Sequence, residues 1–142
     1  MHLLVLWLLL TGVWAQENHS LRLSQQLIVS SNPKMHLPLL VELKKLPVGL
    51  LQVLVKEKVR IIPTQDLRKA GIPERQARGK DRRSLASLPA VFFGQGQDLR
   101  VYIKLEQRNN YFHIPTRGHG SKNLLLHELG HAYYKFFQMR RY

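Results

Sequence analysis

The chain has 142 residues, 44% of them hydrophobic, with 22 Lys and Arg against 9 Asp and Glu and a formal net charge of +13. That length holds one small domain, or one domain plus an appendage, and the apolar fraction is that of a chain that folds, which excludes wholesale disorder. There are no cysteines, so disulfide frameworks, thiolate metal sites and cysteine nucleophiles are excluded and any metal must be held by nitrogen and oxygen.

The apolar run Leu3 to Trp14 is too short for a membrane-spanning helix, which needs about 20 residues. It ends in Val13-Trp14-Ala15, with small residues where a signal peptidase requires them. Residues 1–15 therefore read as a cleaved secretory signal and Gln16 as the mature start. This predicts a secreted or periplasmic protein with no membrane span after cleavage. The signal contains no Asp, Glu, Lys or Arg, so the domain over 16–142 keeps the whole +13 charge. Asn18-His19-Ser20 is a sequon, a glycan acceptor if the secretory pathway is eukaryotic.

Gln26 to Ser30 suggests a short strand, and Leu39 to Leu43 is a second apolar run. Pro47 suits the first turn of a helix reaching about Lys58, with Leu50, Leu51, Leu54 and Val55 on its apolar side. Val59 to Ile62 reads as a strand stopped by Pro63. Thr64 is positioned to cap a short helix over 65–70, closed by Gly71. Glu74 to Arg83 carries five basic residues in ten. Its segment 75–83 is a solvated loop or a patch for anionic partners, and no specific nucleic-acid motif accompanies it. Ala90 to Phe93 is a strand candidate. Leu99 to Glu106 alternates apolar and polar residues, as a strand with one buried face does. Another short strand is expected at Tyr111 to Ile114. The sum is an α+β fold: a small mixed sheet whose amphipathic edge strand precedes a C-terminal helix.

That last helix, Ser121 to Arg140, is the strongest in the chain. Ser121 is a good N-cap, and Lys135, Arg140 and Arg141 complement the helix dipole. Leu125, Leu129, Ala132, Phe136 and Met139 form one core stripe. On the other side stand His127 and His131. Four residues advance a helix by about 40°, so their imidazoles project together, with Glu128 about 100° round from His127. This is His-Glu-x-x-His. Imidazoles one turn apart can share one zinc ion, and the carboxylate between them is placed to accept a proton from water. Gly130 is read as leaving room near the metal.

Asn123 to Tyr133 (NLLLHELGHAY) resembles the zincin metallopeptidases. The approach to the helix, Phe112-His113-Ile114-Pro115 and then Arg117-Gly118-His119-Gly120, looks like the anthrax-lethal-factor-like branch. The resemblance implies a Zn2+ cofactor held by His127 and His131, Glu128 as general base, and peptide or protein substrates. It also implies that an upstream edge strand pairs with the extended substrate, for which Leu99 to Glu106 is the natural candidate. The metzincin subclass is excluded, because Tyr134 and Phe137 occupy its glycine and third-histidine positions. In the Glu-ligand zincins the third ligand comes from a later helix, so the expectation is the N-terminal part of a longer peptidase, truncated after the active-site helix. Its aromatic end (Tyr134, Phe137, Tyr142) would then be uncovered. Within the chain, His119, His113 and Glu106 are the substitute ligands, and Tyr133 and Tyr134 flank the ligand face. The leading reading is a zinc metalloendopeptidase. Its rivals are a non-catalytic basic protein that binds anionic polymers or surfaces, and an inactive truncated zincin.

Overall fold

A computed structural model describes residues 2–72, 85–116 and 123–139, with the backbone alone for 2–12, 86 and 139. Among these residues there are four helices, α1 (His2–Leu27), α2 (His36–Leu43), α3 (Val48–Lys56) and α4 (Leu124–Met139). Five strands accompany them: β1 (Arg60–Thr64), β2 (Ala90–Gln95), β3 (Asp98–Lys104), β4 (Glu106–Arg108) and β5 (Tyr111–His113). The fold is α+β. The basic segment 75–83 lies outside the described residues, as do His119, Ser121, Arg140, Arg141 and Tyr142.

The main sheet has the order β1-β3-β2, with β3 parallel to β1 and antiparallel to β2, while β4 and β5 form a separate hairpin. The expected edge strand Leu99 to Glu106 is therefore the central strand. It also ends at Lys104, and Glu106 opens β4. The alternation is real, because Leu99, Val101, Ile103 and Leu105 are buried. A single buried face, however, does not reveal how many strands flank it. The opposite face is covered too. Tyr102 is 1% exposed and packs with Leu67, Ile72 and Phe93, brought over it near the 3-10 turns Leu67–Lys69 and Leu85–Ser87.

The larger core joins one face of the sheet to the helices. Leu23 and Leu27 of α1, Leu39 and Leu43 of α2, and Leu51 and Leu54 of α3 meet Ile61, Val101 and Ile103. Leu125, Leu129 and Ala132 of α4 complete this cluster. On α1, Val13 to His19 are all exposed, and burial begins at Ser20. Among the described residues no helix is long and apolar enough to cross a membrane.

Several elements differ from expectation. Of the strand read at Gln26 to Ser30, Gln26 and Leu27 are the last turn of α1, where Leu27 follows Leu23 into the core, and residues 28–30 lie beyond the helix. Only Ile28 makes a parallel bridge to Ile61, with Val29 N–H donating to the Ile61 carbonyl at 2.8 Å. The run Leu39 to Leu43 is helical, with Pro38 tolerated in its first turn. Pro63 lies inside β1 and does not stop it; on the outer strand of a sheet a missing N–H removes no central ladder bond. The cap before Leu67 is Asp66, whose carboxylate accepts from Arg68 N–H, and the turn is 3-10.

One ionic cluster fastens the ends of β1 and β3. Asp98 accepts hydrogen bonds from Arg100 and from Arg60, which holds its carboxyl below the ordinary carboxylate value. A lowered folded-state value stabilises the fold above the unfolded pKa, and that contribution disappears as pH falls through the folded value. Asp98→Asn is expected to cost about 1 kcal/mol at neutral pH and to flatten the acid limb below about pH 4, read by urea titration across pH. Leu27→Ala, at a fully buried site, is expected to cost about 2–5 kcal/mol by the same measurement.

Candidate metal centre

Helix α4 starts at Leu124 and is capped by Asn123, while the expected cap Ser121 lies outside the described residues. The Asn123 side-chain oxygen accepts from Leu126 N–H at 3.0 Å, and its carbonyl accepts from His127 N–H at 3.1 Å. Its amide nitrogen donates to Glu42 of α2 at 2.6 Å, so the cap is itself tethered to a neighbouring helix. Leu125, Leu129, Ala132 and Phe136 are buried, as the stripe predicts, and the Met139 side chain lies outside the described residues.

With that stripe facing inward, His127 and His131 are turned outward and exposed. Their rings are nearly perpendicular, at 87° and 4.8 Å between centroids. Their Nε2 atoms stand 3.2 Å apart. At this distance one Nε2 donates to the lone pair of the other. The separation also suits a shared metal: two nitrogens about 2.0–2.1 Å from a tetrahedral zinc are roughly 3.3 Å apart. The donor pair therefore fits Zn2+.

Glu128 is buried at 6% exposure, beside the imidazoles and against β2. Burial pushes its carboxyl above the ordinary range, opposed by the nearby His127 and by a hydrogen bond from Phe92 N–H. Phe92 also stacks on His131, with centroids 6.3 Å apart and planes at 19°. A Cβ at Gly130 would meet nothing within 4 Å, so the space beside that residue is open.

Among the described residues no group of three or more His, Cys, Asp or Glu gathers at one point. His113 and Glu106, both considered as third ligands, face each other across the β4–β5 hairpin, Nε2 to Oε2 3.3 Å. Tyr134 and Phe137 are exposed at 64% and 45%. Two contributors escaped the motif reading: Phe92 and the Asn123–Glu42 tether. The pattern Ala90-x-Phe92-x-Gly94, small residues on either side of a ring on one strand face, was the available signal for Phe92. No protein-family model, curated protein or solved structure matches this chain, so the zincin resemblance rests on the residues themselves.

The paired nitrogens predict zinc uptake that depends on both rings. His127→Ala and His131→Ala are each expected to weaken Zn2+ binding by more than about 100-fold, since loss of outer partners alone costs about 10–100-fold, measured by competition with a chromophoric chelator.

Proposed function

We propose that this chain carries the catalytic helix of an exported zinc metallopeptidase, a hydrolase acting on peptide bonds. The observation that carries the proposal is the convergence of two Nε2 atoms at 3.2 Å with a buried carboxylate on the adjoining residue. His127 and His131 would hold the metal. A zinc ion in that position acts as a Lewis acid and lowers the pKa of water.

The remaining steps belong to the protein. Glu128 sits where desolvation favours its protonated form, so its carboxylate takes up a proton readily and can release it to the departing amine. Phe92 N–H holds that carboxylate beside the imidazoles. A carboxylate free in solvent would be less basic and less well directed. The strand offered to an extended substrate is β2, which replaces the central Leu99 to Glu106 in that role. It is at the end of the sheet, it packs against α4, and its outer edge pairs with no other described strand.

The +13 charge would add long-range attraction for acidic substrates or for an anionic partner. Export rests on residues 1–15.

Glu128→Gln keeps the shape and the neighbouring imidazoles but removes the base. It is expected to retain zinc while lowering peptide hydrolysis by at least about 100-fold, followed with a quenched-fluorescence peptide library before and after chelator treatment. A variant as active as the wild type, or wild-type hydrolysis indifferent to chelator, would overturn the assignment.

A further inference from the structure

On the face of β2 that meets α4 lie Ala90 and Phe92, with Gly94 next on that face by the strand's alternation; Phe93 belongs to the other face, in the cluster with Tyr102. One ring between two small residues lies against the helix. Gly94 lets that ring lie where it does: a Cβ there would stand 2.7 Å from Phe92 Cζ and 3.0 Å from Cε1, so the ring would have to shift. The ring thus lies over the glycine, and His131 stacks on it at 19°. His131 is exposed on an outward helix face, where a side chain ordinarily samples several rotamers. The one observed here brings its Nε2 to 3.2 Å from that of His127.

We propose that Phe92 is the positioning residue of the histidine pair: its ring, laid over Gly94, braces the His131 imidazole in the orientation that meets His127. The role deepens the metallopeptidase reading and rests on it for its purpose, though the bracing itself is a property of the metal-free protein. Ordering a side chain before a ligand arrives removes that cost from binding. The same residue fixes the carboxylate through its N–H, so one strand position sets two of the three motif side chains. A methyl group added by Gly94→Ala would displace the ring without touching His131. Phe92→Leu would keep apolar volume and the N–H but offer no flat surface.

The test uses the wild type, Phe92→Leu, Gly94→Ala and the double variant, each checked for folding by far-ultraviolet circular dichroism. Two quantities are read: nuclear Overhauser contacts between the Phe92 ring and the His131 imidazole without metal, and Zn2+ affinity. The wild type is expected to show the contacts. Gly94→Ala should lose them, and each single variant should weaken zinc about tenfold. The double variant should bind no more weakly than Phe92→Leu alone, because leucine has no ring for the added methyl group to displace. Folded single variants with wild-type zinc affinity would overturn the proposal. So would a wild type that lacks the ring contacts. If the wild type takes up no zinc, the peptidase reading fails, while the contacts and their loss in Gly94→Ala still uphold the bracing, and their absence overturns it.

Discussion

The burial of β3 between two strands and two apolar layers is the constraint from which the remaining geometry descends. Val101 and Ile103 are fully buried on the helix side, and Tyr102 is covered on the other. With β3 so enclosed, β2 is left at the sheet's end, and α4 lies across it. Burying a Leu or Val side chain is worth about 1.5–3 kcal/mol, against about 1 for a helix cap. The rotation of α4 about its axis is therefore decided by Leu125, Leu129 and Phe136, and Asn123 chiefly marks where the helix begins. Because the histidines lie across the helix from that stripe, core burial turns them outward.

The carboxylate has a different status from its flanking histidines. It is held in a nearly dry position by the same strand that braces one of them. Removing a carboxylate from water raises its affinity for protons, and a single N–H from the strand offsets only part of that cost. Structural carboxylates are seldom left in such a position. Asp66 and Asp98 illustrate the usual case: both lie beside arginines that lower their pKa, Asp66 to about 2. The contrast between a carboxylate stabilised in its charged form and one that is not supports assigning proton transfer to Glu128.

Sequence periodicity revealed the parts of this architecture that face one layer of core. The α4 stripe, the alternation in β3 and the apolar face of α3 were all legible in that way, as were the two imidazoles and the acid between them. Position in a sheet was not legible, because alternation reports one buried face and says nothing of lateral neighbours; hence β3 was expected at an edge. The end of α1 resembled a strand because Leu27, Ile28 and Val29 run together, although Leu27 belongs to a helical stripe that began earlier. Phe92 looked like ordinary core. Its contact with His131 joins two elements far apart in the chain, and the small residues Ala90 and Gly94 on either side of it mark the ring without naming its partner.

Functional groups are commonly carried on loops, whose motions are separate from those of the scaffold. Here both imidazoles and the acid ride on one helix whose inner face is core, and the bracing ring belongs to a strand beneath it. The backbone between the two imidazoles therefore offers no hinge. The backbone spacing of the pair endures for as long as α4 remains seated on the sheet, and only the side-chain torsions, which the Phe92 ring restrains, are left to part the nitrogens in the folded protein.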